Sequence, residues 1–186
     1  MNSGLTSRGG CTLLGVKDQA LLASYGYRHC DSGLVDYWPR AQVISDLCHE
    51  IGSESSCWLA VSSNKIVGFC WGYPENLNSL ELKLKIPFVK NFYKIFGLQD
   101  KVAYQDEVGE SILYRGNKIA KTLVLHRLKD FISQGLQIGI VRTRKFPEPS
   151  QTFLWYNKLG YQIIAEYDDG RVIMGRKLDG LLNKLC

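Results

Sequence analysis

The 186-residue chain has few of the features that mark fibrous, disulfide-stapled or membrane-spanning proteins. It contains five prolines and 18 glycines, too few for a collagen-like or low-complexity chain. No stretch approaches the roughly 18 consecutive apolar residues that a membrane-spanning helix needs. Residues 1–10 lack the apolar core of a secretion signal. These absences predict one domain over residues 1–186 that is not bound to a membrane.

The cysteines and the charged residues form no pattern that indicates a metal site or a nucleic-acid-binding surface. The six cysteines include no CxxC pair, and a chain of this length needs no disulfides to fold, so we expect reduced thiols and a cytoplasmic location. His29-Cys30 and Cys48-His49 are poor zinc ligands because neighbouring helical side chains point apart, and no metal is expected. The net charge of +5 is spread along the chain, which disfavours a nucleic-acid partner.

Hydrophobic spacing predicts alternating helices and strands, an order typical of an α/β or α+β fold with a mixed sheet. Residues 75–101 are ambiguous between strand and helix, and we interpret them as an insertion between two sheet strands. The other predicted elements, in chain order, are helices at 17–28 and 39–51, a hairpin at 57–74, a strand and a long helix within 102–135, a strand at 136–143, a short helix at 149–160 and a hairpin at 161–178.

Several finer expectations follow from this pattern. A turn centred on Ser63-Asn64 would place Cys57 opposite Cys70 as two packed thiols. In the long helix, Arg127 falls on the polar face, and we expect His126 to be solvated. The aromatic residues of 88–96 are expected to be exposed and would suit a homodimer. The apolar stripe predicted for the helix at 39–51 comprises Val43, Ile44, Leu47, Cys48 and Ile51.

Three basic residues surround the start of the long helix: Arg115, Lys118 and Lys121. A helix N-terminus offers free backbone N–H groups and the positive end of the helix dipole, so this turn is a candidate phosphate site. The alternative is a solvated basic turn without a ligand.

Two motifs carry a family resemblance. The first reads Arg115-Gly116-Asn117-Lys118-Ile119-Ala120, and the second reads Leu154-Trp155-Tyr156-Asn157-Lys158-Leu159-Gly160-Tyr161. They are similar to the [QR]-x-x-G-x-[GA] helix start and the L-Y-x-K-L-G-[FY] helix end of the GNAT (N-acetyltransferase) superfamily. The order of elements over 57–178 agrees as well. The resemblance implies a GNAT-like α/β fold, with a central, mixed, mostly antiparallel sheet flanked by helices.

The resemblance also implies a reaction: transfer of acetyl from acetyl-CoA to a primary amine by direct attack. Tyr156 would be the general acid, and Glu107 the base that takes the amine proton, directly or through a water. Asp106 and Glu110 compete for the role of base, although strand alternation puts Glu110 on the face opposite Glu107. The acceptor is a small-molecule amine or a protein amine.

Cofactor and acceptor residues follow from the same resemblance. Backbone N–H groups of 116–120 would hold the pyrophosphate, and one near Gly109 or Glu110 would stabilise the oxyanion. Trp71 and Tyr73, with Asp106, could line an acceptor pocket. The implied cofactor-binding residues are Gly109, Glu110, Ser111, Arg115, Gly116, Asn117, Lys118, Ile119, Ala120 and Ser150.

The chain departs from the family pattern at two positions. Lys118 stands where the family usually has Gly; a lysine suits helical backbone angles, and its ammonium could contact phosphate. Pro149 stands where an Asn is frequent, so Ser150 could take over a pantetheine contact. Both departures favour the alternative function, a catalytically inactive GNAT-like domain that binds CoA or another ligand as a sensor or adaptor.

Overall fold

The computed structural model describes residues 45 and 47–182 in full, and four short strands before them as backbone. The predicted helix at 17–28 lies outside the described residues, as does most of the helix at 39–51, of which 45 and 47–50 are helical. Leu47 is buried but Cys48 is exposed, so Cys48 does not belong to the predicted apolar stripe. The four early strands are β1 (Leu5–Thr6), β2 (Thr12–Gly15), β3 (His29–Asp31) and β4 (Leu34–Asp36).

The rest of the described chain alternates strands and helices, which confirms the predicted α/β class. In chain order the elements are β5 (Ser56–Ser62), β6 (Lys65–Asn76), α1 (Leu77–Leu84), α2 (Val89–Phe96), β7 (Lys101–Glu110), α3 (Ile119–Ser133), β8 (Ile138–Arg144), α4 (Gln151–Lys158), β9 (Gln162–Glu166) and β10 (Arg171–Lys177).

The chain divides into two compact units. Residues 1–73 and 106–130 form the first, with strand order β1-β2-β5-β6-β7 and helix α3. Residues 74–105 and 131–186 form the second, with strand order β7-β8-β10-β9 and helices α1, α2 and α4. The pairs β1–β2, β2–β5, β5–β6, β8–β10 and β9–β10 are antiparallel, whereas β7 and β8 run parallel. The expected mixed, mostly antiparallel sheet is therefore confirmed.

The hairpin β5–β6 forms at the predicted turn but in a different register. Ser63 and Asn64 have φ angles of 48° and 60°, as a tight hairpin turn requires. A bulge at Val67 of β6 shifts the register, so Cys57 lies opposite Trp71 rather than opposite Cys70. Both thiols are free and buried, and burial raises the pKa of Cys70 to about 11. The expectation of packed thiols is confirmed, but their direct pairing is wrong.

The insertion between β6 and β7 is helical. Leu80 and Leu84 are buried whereas Leu82 is 79% exposed, because residues four apart share one face of a helix. The alternation of leucines that resembled a strand is thus part of a helical stripe in α1. Phe88, directly before α2, and Phe92 within it are buried, and Tyr93 and Phe96 are half-buried. The expectation that the aromatic residues of 88–96 are exposed is therefore wrong.

Candidate functional site

The loop from β7 to α3 has an unusual backbone. After a short 3-10 turn (Ile112–Tyr114), Gly116 and Lys118 adopt left-handed φ angles of 84° and 63°, and α3 begins at Ile119. The expectation that Lys118 takes helical angles is wrong, although its carbonyl does accept the first helical bond, from the N–H of Thr122 at 3.0 Å. A glycine adopts this conformation without the steric cost of a Cβ atom.

The start of α3 already holds a carboxylate of the chain itself. Oε2 of Glu110 accepts a hydrogen bond of 3.1 Å from the backbone N–H of Ala120. The helix dipole stabilises a negative charge at this position. Ala120 is one of the predicted pyrophosphate donors, so any phosphate bound there competes with Glu110.

Main-chain bonds and close packing connect β6, β7 and α3. The N–H of Ser111 donates to the carbonyl of Val67 at 2.8 Å, so this predicted cofactor residue already uses its N–H. A Cβ atom on Gly68 would lie 2.8 Å from Cγ2 of Ile119 and 3.2 Å from the carbonyl oxygen of Gly109. The absence of a side chain at Gly68 therefore allows the first turn of α3 to approach β6 and β7.

The acidic residues of β7 have distinct partners. The Tyr73 hydroxyl donates to Oδ2 of Asp106 at 3.2 Å, and both side chains belong to the first unit. Glu107 is half-buried, and its main-chain carbonyl accepts a hydrogen bond of 2.7 Å from Nη1 of Arg127. Trp71 is buried, and its indole N–H donates to Oε2 of Glu50 at 3.1 Å. Trp71 thus packs as a core residue.

Sequence reasoning missed the roles of two residues in α3. Arg127, expected on the polar face, is fully buried. The ring of His126 lies 4.5 Å from that of Trp58. Burial lowers the pKa of His126, the Lys129 charge lowers it further, and Asp130 partly opposes both effects. The expectation that His126 is solvated is therefore wrong. The two carbonyl groups that accept hydrogen bonds from Arg127 lie on separate strands, so helical periodicity alone could not reveal them.

Ser150 has a structural role in the second unit. Its Oγ accepts a hydrogen bond of 3.0 Å from the N–H of Phe153, which caps the N-terminus of α4. The same oxygen lies 2.9 Å from Oγ1 of Thr143. Its position directly after Pro149 and before a short helix is the sequence signal for such a cap. A pantetheine contact would have to share this hydroxyl.

Tyr156 lies on α4, in the second unit, and is 3% exposed. Its ring centroid is 4.8 Å from that of Tyr161 in an edge-on arrangement. The Tyr161 hydroxyl in turn accepts a hydrogen bond of 2.7 Å from Nε2 of Gln105. The ring of Tyr156 is thus held by aromatic packing, which fixes the direction of its hydroxyl.

Among the described residues, no group of three or more His, Cys, Asp or Glu side chains could hold a metal ion. Within the described ranges, no helix has the length and apolar character needed to cross a membrane.

Comparison with known proteins identifies the fold. No protein-family model matches the chain, and no curated protein matches it significantly. Three solved structures each cover 90% of this chain. Ard1 from Thermoplasma volcanium matches over 97% of its own length, at 16% identity and a TM-score of 0.61. A GNAT-family acetyltransferase from Streptococcus pneumoniae matches over 98%, at 14% identity and a TM-score of 0.55. Arabidopsis thaliana Naa50, in complex with the bisubstrate analogue CoA-Ac-MVNAL, matches over 98%, at 18% identity and a TM-score of 0.54. The chain therefore has the fold of the GNAT N-acetyltransferases, as the order of its motifs predicted.

Proposed function

We propose that the chain is an acetyl-CoA-dependent N-acetyltransferase that transfers acetyl to a primary amine. The observation that carries the proposal is the start of α3, where an exposed basic loop leads into the first N–H groups of the helix. The fold is shared with Naa50, whose structure contains a CoA-based bisubstrate analogue, and in this chain the loop follows β7.

The loop residues fit a pyrophosphate. Arg115 to Lys118 are exposed, and a Cβ atom on Gly116 would meet nothing within 4 Å, so a ligand has space to approach the backbone. The first N–H groups of α3 have no acceptor inside the helix. Arg115 and Lys118 add positive charge, whereas the Glu110 carboxylate opposes an anion.

The proposed chemistry assigns one task to each group. Glu107 takes a proton from the amine, directly or through a water, so that the nitrogen lone pair can attack the thioester carbonyl carbon. A backbone N–H at Gly109 or Glu110 donates to the carbonyl oxygen as negative charge develops. The C–N bond forms, the C–S bond breaks, and Tyr156 gives its proton to the departing thiolate.

The acceptor is proposed to be a cationic amine, either a small molecule or a protein amine. Asp106 and Glu107 supply negative charge on β7, and Tyr73 orients the Asp106 carboxylate through its hydroxyl.

The free thiols of Cys57 and Cys70 support a reducing compartment such as the cytoplasm.

The first test is thermal unfolding with acetyl-CoA, with ATP as a phosphate-bearing control. A ligand at about 100 times its Kd adds near 2.7 kcal/mol to the free energy of unfolding, which raises the melting temperature by several degrees.

Turnover is then measured with spermidine, kanamycin and the peptide Met-Val-Asn-Ala-Leu. Tyr156→Phe should lower kcat by about a hundredfold and leave acetyl-CoA binding unchanged. Tyr93→Phe on α2 is the matched control and should retain full activity.

A second candidate function is a sensor or adaptor domain that binds CoA or another ligand and has no transferase activity. Lys118 in a left-handed conformation and the Glu110 carboxylate at Ala120 favour it, since both weaken an ordinary pyrophosphate cradle. Stabilisation by acetyl-CoA without turnover of any of the three amines would support the sensor and contradict the enzyme.

A further inference from the structure

We infer that Arg127 is a positioning residue that fixes the main chain of Glu107, and through it the proposed general base. The inference rests on the proposed function. It assigns Arg127 no contact with substrate.

The contacts of Arg127 join two strands to one helix. Its side chain is fully buried, and Nη1 donates at 2.7 Å to the carbonyl of Trp71 on β6 and at 2.7 Å to the carbonyl of Glu107 on β7. A buried guanidinium is costly unless it is hydrogen-bonded, so these bonds constrain both partners. Arg127 therefore fixes two neighbouring strands at the level of Glu107.

A second contact fixes the same helix to the same strand. Glu110 on β7 binds the N–H of Ala120, which is seven residues before Arg127 on α3. Seven helical residues rise about 10.5 Å, and the three strand residues from Glu107 to Glu110 rise about 10 Å. The two lengths are similar, so two contacts can join α3 to β7 with the helix running opposite to the strand.

The two points have different consequences for function. The contact at Ala120 belongs to the proposed cofactor loop, whereas the contact at Arg127 belongs to the proposed base. Loss of Arg127 removes its hydrogen bond to the Glu107 carbonyl but leaves the start of α3 attached through Glu110. We therefore expect the chemical step to suffer and acetyl-CoA binding to persist, since a displacement of about 1 Å can cost a hundredfold in rate.

The test compares Arg127→Met, which removes the donors, with Arg127→Lys, which keeps a charged donor. In steady-state assays with acetyl-CoA and the best of the three probe amines, Arg127→Met should lower kcat about ten- to a hundredfold. Its KM for acetyl-CoA should stay within about twofold of the parent value. Arg127→Lys should recover most of the lost kcat. Melting temperatures establish that each variant is folded.

A double-mutant cycle with Glu107→Gln separates positioning from a general structural role. If Arg127 acts through Glu107, Arg127→Met should lower kcat little further in the Glu107→Gln background. If Arg127→Met does not fold, Arg127→Gln replaces it in the cycle. Parent-like kcat, or equal losses in both backgrounds, would overturn the inference while the proposed function stands. Absence of turnover in the parent chain would overturn the proposed function, and the inference with it.

Discussion

The backbone N–H of Ala120 donates to the Glu110 carboxylate, so the last residue of β7 caps the N-terminus of α3. In sequence, Glu110 was a candidate main-chain donor to the ligand. In the structure its side chain is an internal anion, placed where the helix dipole attracts negative charge. Glu110 thus stabilises α3 and at the same time opposes the ligand proposed for it.

Glu110→Gln should strengthen acetyl-CoA binding, although it alters a residue of the proposed site. The amide still accepts from Ala120 but carries no charge to repel phosphate. A charge at a helix terminus is worth about 0.3–1 kcal/mol, which corresponds to about a two- to fivefold lower Kd. Calorimetric titration at low salt measures the change. Asp106→Asn is the control carboxylate and should leave Kd unchanged; weaker binding by Glu110→Gln would contradict the competition.

Lys118→Gly should stabilise the fold relative to Lys118→Ala. The left-handed φ of 63° costs a residue with a Cβ atom about 1 kcal/mol, and glycine avoids this cost. The larger entropy of a glycine in the unfolded chain offsets part of the gain. Urea denaturation of the two variants measures the difference, and both lose the same charge. A more stable Lys118→Ala would show that the position is not left-handed in solution.

Gly68→Ala should destabilise the first unit and weaken acetyl-CoA binding. The added Cβ would lie 2.8 Å from Cγ2 of Ile119, so the first turn of α3 must move. Such overpacking typically costs about 1–3 kcal/mol. Gly52→Ala is the matched control, because a Cβ there meets nothing within 4 Å and the effect should be near zero. Equal melting temperatures of the two variants would refute the close approach.

The stability of the parent should fall as the pH drops below about 6.5, and His126 should account for part of the loss. Burial lowers its pKa in the folded state below the ordinary value of 6.5, so the unfolded chain takes up the proton first. The stabilisation is therefore present above pH 6.5 and is lost as the pH falls through the folded pKa. Urea denaturation at pH 5 and pH 7 should show a smaller loss for His126→Gln than for the parent. An equal loss in both proteins would exclude His126 as a source of the pH dependence.

From the hairpin at 57–74 onward, and apart from residues 75–101, the sequence by itself determined the local elements and their order. The Asp-Gly turn is found between β9 and β10, and the Pro149–Gly160 segment forms a short helix, because turn residues and caps act over a few neighbouring residues. The two motifs and their order were enough to predict the fold. The hairpin turn at Ser63-Asn64 was also readable, since both residues tolerate left-handed angles.

Only the tertiary structure decided how those elements meet. Periodicity placed Arg127 on a polar face, but two carbonyl groups from separate strands allow it to be fully buried. A bulge that no local pattern indicated moved Cys57 away from Cys70. The reach of the Glu110 side chain to Ala120 depends on how α3 lies along β7. These contacts join residues far apart in the chain, and they were settled by packing and by the need to pair buried polar groups, which act through space rather than along the sequence.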